Sequence, residues 1–274
     1  MKNALTYLTR GCPRSCEYCA LRDAKGIGPN LPTHKWCEAF TILKEIGVDF
    51  NLILGNETWL LGHKLVSIMS SNRVPYAIYT TCPEPLFSNF KDLYFRNKIL
   101  DNLSCGMDYP VTVEVQELWD DSYKKSIDAW KGFTWIKENY PDVDTQGTIT
   151  VHKKNIAYLP RLVKDLSDLG VFVGINFIHW NKDGNYDFFP SKEEISDLMF
   201  TEDWELNQVK AILEEVARIP NHLIQNPEFI SQPVETLCNM GWHCKGNPYG
   251  GPTIDSDGHL RCCGYRRGKH TPEL

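Results

Sequence analysis

Three cysteines early in the chain, Cys12, Cys16 and Cys19, stand in a C-x3-C-x2-C spacing within Gly11-Cys-Pro-Arg-Ser-Cys-Glu-Tyr-Cys19. With ten cysteines in 274 residues, about 0.01 such matches are expected by accident. Thiolates packed into one short loop are suited to binding metal. Three rather than four is the informative number. A cubane [4Fe-4S] cluster normally takes a cysteine on each iron, so a three-thiol loop leaves one iron open to a substrate or cofactor. A zinc knuckle with its fourth ligand elsewhere, such as His34, is the competing reading.

A second group, Cys238, Cys244, Cys262 and Cys263, lies near the other end of the sequence. Four clustered thiols suit a fully ligated [4Fe-4S] centre. Adjacent Cys262 and Cys263 point in opposite directions if they lie on a strand, so one of them can be a bystander. Cys82 or Cys105 then completes the set, or a substrate occupies an open iron. A zinc site using Cys238, Cys244, His243 or His259 with a terminal cysteine is the alternative. The isolated Cys37, Cys82 and Cys105 read as ordinary buried thiols. The first residues, MKNALTYLTRGC, lack the basic region, long apolar run and cleavage site of a signal peptide. A reducing compartment and a cytoplasmic location are therefore expected.

The stretch Leu54-Gly-Asn-Glu-Thr-Trp-Leu60 follows a run of strand-forming residues. Its carboxylate, with strand-edge carbonyls around it, is what an ammonium group needs, while Gly55 lets backbone approach closely. Taken with the cysteine loop, it resembles the radical S-adenosylmethionine (SAM) superfamily, whose C-x3-C-x2-C motif carries an aromatic residue just before the last cysteine. Tyr18 fills that place. The resemblance implies that SAM chelates the open iron through its amino and carboxylate groups. An electron from the cluster then cleaves the sulfonium to methionine and a 5'-deoxyadenosyl radical, which abstracts a substrate hydrogen.

The resemblance also implies that Gly55, Asn56 and Glu57 receive the SAM ammonium group. Ser104 and Asp108, with Thr80, Thr81, Thr148 and Asn155, would face ribose and adenine, and an external electron donor such as flavodoxin or ferredoxin would be required. The tail resembles the cysteine-rich extension called SPASM, or in shortened form Twitch. Its C-x13-G-x4-C spacing falls on Cys244, Gly258 and Cys263, and Ile254-Asp-Ser-Asp-Gly258 looks like its hairpin turn. An auxiliary [4Fe-4S] cluster on Cys238, Cys244, Cys262 and Cys263 follows from that likeness.

What must position these groups is a series of strands and helices in alternation. Strand-type runs fall at 4–9, 50–54, 76–80, 102–107, 146–151 and 171–179, with helix-period segments between them. Trp36, Phe40 and Leu43 form one apolar face, and Leu159, Leu162, Val163, Leu166 and Leu169 another, with Gly47 and Gly170 as stops. Pro160 is tolerated in the first turn of its helix. A further helix is expected over 203–219, and Pro220, Pro227 and Pro233 then interrupt an irregular linker. The pattern predicts an α/β fold, a partial (β/α)6 TIM-like barrel over 1–220 with a small cysteine-rich C-terminal extension over 221–274.

In such a barrel substrate enters at the C-terminal ends of the strands. The loop after the sixth strand therefore supplies candidate contacts in His179, Trp180, Asn181 and Tyr186, and Trp59 and Trp119 are candidate pocket-lining rings. A net charge of -6 disfavours nucleic acid as a partner. No stretch approaches the roughly 20 apolar residues that cross a bilayer. The expected reaction is radical modification of a peptide or small metabolite, with a nucleoside or base as the alternative substrate. An iron–sulfur electron carrier and a zinc-binding module are the non-enzymatic readings. No catalytic side chain beyond the cofactor site is identified by sequence.

Overall fold

The computed structural model describes residues 3–19, 31–55, 57–81, 100–111, 121–180, 190–220, 232–239, 252–256, 258 and 260–261, with side chains left aside at 100–104 and 260–261. Six strands follow one another in chain order: β1 (Asn3–Tyr7), β2 (Phe50–Leu54), β3 (Tyr76–Thr80), β4 (Leu100–Gly106), β5 (Asp144–Val151) and β6 (Phe172–Phe177). All pair in parallel with their sequence neighbours. Parallel pairing needs a crossover between strands. The β3–β4 connection lies outside the described residues, and helices supply the others. They are α1 (Thr33–Glu45), α2 (His63–Met69), α3 (Asp121–Asn139) and α4 (Leu159–Asp168), followed by α5 (Asp203–Val216) and α6 (Val234–Cys238). This is the α/β partial-barrel order expected from the sequence.

The predicted apolar faces are the buried ones. Trp36, Phe40 and Leu43 of α1 and Leu159, Leu162, Val163 and Leu166 of α4 join Ile53, Tyr76, Ile78, Ile149 and Val173 of the strands in one core. Full burial of each such side chain contributes about 1.5–3 kcal/mol. The packing is close: a Cβ added to Gly147 of β5 would lie 2.8 Å from Leu166 Cδ1. Gly47 and Gly170 close their helices with positive φ, 76° and 72°. Pro160 lies in the first turn of α4, where its missing N–H breaks no helical bond.

Two short strands complete the sheet. β7 (Thr253–Ile254) pairs in parallel with β1, and β8 (Leu260–Arg261) pairs antiparallel with β7. The strand order is β6-β5-β4-β3-β2-β1-β7-β8. The hairpin expected around residues 254–258 is present, with the Gly258 N–H donating to Asp255 O at 2.8 Å. Its place in the sheet was not foreseen: part of the expected extension continues the barrel sheet next to β1. Val234, Leu237 and Cys238 of α6 likewise pack into the main core.

A buried ion pair fastens this junction. Arg10 and Asp255 are 1% and 0% exposed, and the Arg10 Nε and Nη2 groups donate to Asp255 Oδ1 at 3.0 and 2.6 Å. The Ser256 N–H donates to the same oxygen at 2.8 Å, and the guanidinium lies 4.5 Å over the Tyr7 ring. Among the described residues no helix is long and apolar enough to cross a membrane.

Candidate functional site

Because β1 to β6 run in one direction, the segments leaving them emerge at one edge of the sheet. The cysteine loop leaves β1, Glu57 follows β2, Thr81 follows β3, Asp108 follows β4, His152 follows β5 and His179 follows β6. The sequence candidates thus share the end of the sheet where a barrel of this kind places its chemistry.

The loop from Arg10 to Cys19 is held at many points by side chains outside it. Arg14 is ion-paired with Asp128, and the Ser15 N–H donates to Asp121 Oδ2 at 2.7 Å. Lys154 bonds Glu17 at 3.0 Å. Within the loop, the Arg14 N–H points at Cys12 Sγ from 3.4 Å and the Cys19 N–H donates to Cys16 O at 3.1 Å. Asp121, Lys125 and Asp128 recur four and three residues apart, which, with Ser122 three before Lys125, puts them on one side of α3, facing the loop.

Cys16 is buried, and burial raises its thiol pKa. Lys125 and a hydrogen bond with Ser122 oppose that rise, while Asp108 and Cys19 add to it. Among the described residues no three His, Cys, Asp or Glu side chains are grouped closely enough to hold a metal ion. By donor type, three thiols in a short, well-anchored loop, one with an amide N–H aimed at its sulfur, match a cluster held by three cysteines. Metal takes the place of the thiol proton on binding.

Behind the loop lies a polar network that composition and periodicity did not reveal. The Tyr18 hydroxyl donates to Asp108 Oδ2, and Lys125 Nζ donates to both Tyr18 and Asp108, the latter at 2.5 Å. Asp108 Oδ1 accepts the Thr150 N–H at 2.9 Å. The Asn155 amide donates to the carbonyls of Asp108 and Thr150 at 3.1 and 2.9 Å. Asp108 thus bonds Tyr18 of the cysteine loop, and Asn155 holds the backbone of Asp108 and Thr150. His152 packs against the Tyr18 and Tyr109 rings, with centroids 5.5 and 5.9 Å away. Neither of its ring nitrogens has a hydrogen-bond partner among the described residues, and burial lowers its pKa to about 4. One signal was available: Lys125 interrupts the otherwise inward-facing series Ser122, Ser126, Ala129, Phe133 and Ile136 of α3.

Glu57 is fully buried. Its Oε1 accepts the Trp59 N–H at 3.1 Å and the Thr80 hydroxyl at 2.8 Å; its Oε2 accepts the N–H and hydroxyl of Thr81 at 2.5 and 2.6 Å. These donors are neutral, and burial raises the carboxyl pKa above the usual range despite them. A buried carboxylate without a cation among its described partners is a receptor for one. Thr80 and Thr81 are hydrogen-bonded to Glu57 in this structure. Gly55, with φ 147°, runs against the end of β1; a Cβ there would sit 2.9 Å from Thr9 O. Gly55 thereby brings the Glu57 turn against the strand end that leads into Cys12.

The remaining candidates divide. Trp180 is 5% exposed and packs with Ile178, Ile195, Leu198, Met199 and Tyr18, while Trp59 lies in the main core. Both rings are packing elements here. His179 is partly buried, and desolvation lowers its pKa to about 4. Cys105 is a core thiol, as expected, while Cys37 is only partly buried. Cys238 ends α6 at 5% exposure, its thiol pushed up to about 12 by burial, with Glu235 adding to the rise. Asn56, Cys82, Trp119, Asn181, Tyr186, His243, Cys244, His259, Cys262 and Cys263, together with the Ser104 side chain, lie outside the described residues.

No family model and no curated protein sequence matches the chain. Among solved structures, the crystal structure of Streptococcus suis SuiB matches with a TM-score of 0.69 at 15% identity, over 99% of this chain and 62% of that one. SuiB solved with S-adenosylmethionine bound gives 0.70 at 14% identity, with the same coverage. The likeness establishes the fold alone, an α/β partial barrel. The chain spans about 62% of the length of SuiB.

Proposed function

We propose that this chain is a radical SAM enzyme acting on a peptide or small metabolite. One observation carries the reading: a three-cysteine loop and a buried carboxylate with no cation among its described partners leave adjoining strand ends. Cys12, Cys16 and Cys19 would hold a [4Fe-4S] cluster with one open iron. Gly55, Asn56 and Glu57 would receive the SAM ammonium, and Ser104 would meet its ribose. Such a group supplies one-electron cleavage of a sulfonium and hydrogen-atom abstraction when bound.

The protein's own part is orientation and exclusion. Glu57 offers its negative charge in a site without solvent, where an ammonium gains most from it. The Thr81 hydroxyl is the donor best able to turn away and make room, since the backbone N–H groups of Trp59 and Thr81 are fixed. Tyr18, braced by Asp108 and Lys125, fixes the loop between Cys16 and Cys19. Electrons would come from an external donor such as flavodoxin or ferredoxin. The tail cysteines Cys238, Cys244 and one or both of Cys262 and Cys263 would hold an auxiliary [4Fe-4S] cluster in a Twitch-like extension, and His179, Asn181 and Tyr186, with Trp180 in the same segment, would meet substrate.

Anaerobic reconstitution, iron and sulfide analysis and chromatographic assay of 5'-deoxyadenosine test the proposal. The wild type is expected to cleave SAM under reduction, and replacing Cys12, Cys16 and Cys19 together by alanine to remove one cubane's iron and all cleavage. Full cleavage by the triple variant overturns the assignment. Iron and sulfide left in that variant would belong to the tail; stoichiometric zinc in their place would make the tail a structural zinc site.

A further inference from the structure

The Asp108–Lys125 pair is an unusual means of holding a helix against a loop. Both side chains are buried, at 1% and 7% exposure, and removing two charges from water costs more than apolar packing of the same volume often would. The surrounding chain is nevertheless shaped to keep the pair. A Cβ added to Gly106 of β4 would lie 3.0 Å from Lys125 Nζ and 3.3 Å from its Cε, so glycine leaves the space the lysine occupies. The Thr150 N–H fixes one carboxylate oxygen of Asp108, and the Tyr18 hydroxyl and Lys125 share the other. Lys125 Nζ also lies 5.1 Å from the centre of the Tyr18 ring, inside the span between Cys16 and Cys19.

We propose that Asp108 and Lys125, both in contact with Tyr18 between Cys16 and Cys19, are positioning residues that set the reduction potential of the cluster bound by Cys12, Cys16 and Cys19. The inference rests on the iron–sulfur reading above and assigns a role to residues outside its ligand set. Reduction would add one electron, taken from an external donor, to a thiolate-bound cluster. A nearby cation favours that electron and a nearby anion disfavours it, and in a water-poor interior neither charge is screened away. Removing one member of the pair leaves the other uncompensated, so the two removals act in opposite directions.

The test is redox titration of anaerobically reconstituted protein with dithionite and mediator dyes, read by electron paramagnetic resonance. The relevant signal is the one missing from the Cys12/Cys16/Cys19→Ala variant. Asp108→Asn is expected to raise the midpoint potential, Lys125→Met to lower it, and Lys125→Arg to keep it near the wild-type value. Asp108→Asn and Lys125→Met proteins with full iron that share the wild-type potential, or move in the same direction, overturn the proposal. If Lys125→Met cannot hold the cluster, Asp108→Asn decides alone: a rise supports the role, and no shift or a fall refutes it. Wild-type protein that takes up no iron overturns the enzymatic reading and this inference with it.

Discussion

Replacing Glu57 by Gln preserves the side chain's shape and exchanges one acceptor oxygen for a donor. Four donors converge on that carboxylate, with Trp59 N and Thr80 Oγ1 on one oxygen and Thr81 N and Oγ1 on the other. Either orientation of the new amide sets its NH2 against a backbone N–H that cannot turn, although the threonine hydroxyls can. One buried N–H left unpaired costs about 1–3 kcal/mol. Relief from burying a charge offsets part of this, because the carboxyl is held above its usual pKa by burial. A net loss of about 2 kcal/mol in the SAM-free protein corresponds to a fall in Tm of about 4–8 °C. SAM affinity is expected to fall about tenfold or more, as loss of a charge-assisted bond worth roughly 1.5–3 kcal/mol requires. Thermal unfolding reads the first effect and calorimetric SAM titration of reconstituted protein the second, with iron content unchanged in both. An unshifted melting curve would refute the donor count. An unchanged SAM Kd would remove Glu57 from the cofactor site.

Titration of His152 gives a further expectation. Its folded pKa is depressed from 6.5 to about 4, so the folded state binds fewer protons than the unfolded one between those values. The stability it supports is complete above the unfolded value and is lost as pH falls toward the folded one. Urea unfolding between pH 7 and 4 is expected to show this acid loss, and His152→Phe to lessen it; equal slopes would show that the imidazole titrates normally. Asp255→Ala leaves the buried Arg10 guanidinium without its carboxylate partner and is expected to cost about 3–5 kcal/mol in urea unfolding. A loss below about 1 kcal/mol would mean that water reaches Arg10 readily.

Much of the barrel was legible because its signals are local. Strands β2 and β3 fall where the strand-forming runs placed them, and Gly47 and Gly170 stop helices where a left-handed residue is needed. The cysteine loop was equally plain, its ligands being separated by only a few residues. What escaped the sequence depends on distant partners. β7 is two residues long and carries no period, and the ion pair beside it joins positions 245 apart. The bonds of Thr80 and Thr81 to Glu57 left no mark in the sequence, because a polar residue at a strand end looks alike whether it meets a ligand or a neighbour. Trp180 resembled a pocket ring for the same reason, and the partner that makes Lys125 intelligible lies 17 residues away on another element.

The position of β7 also constrains the order of folding. β1 enters the sheet with β2 on one side, but its other side stays uncovered until residues 252–256 have been made and found their way back. During synthesis the strand that carries the cysteine loop therefore has an unsatisfied edge, the kind of surface that pairs with other chains. Contacts so far apart in sequence also form slowly. The loop acquires the support of the Arg10–Asp255 pair only after residue 255 has emerged. Were the loop to take up iron as proposed before then, it would do so while not yet fixed, which would link maturation of the cluster and closure of the sheet in time.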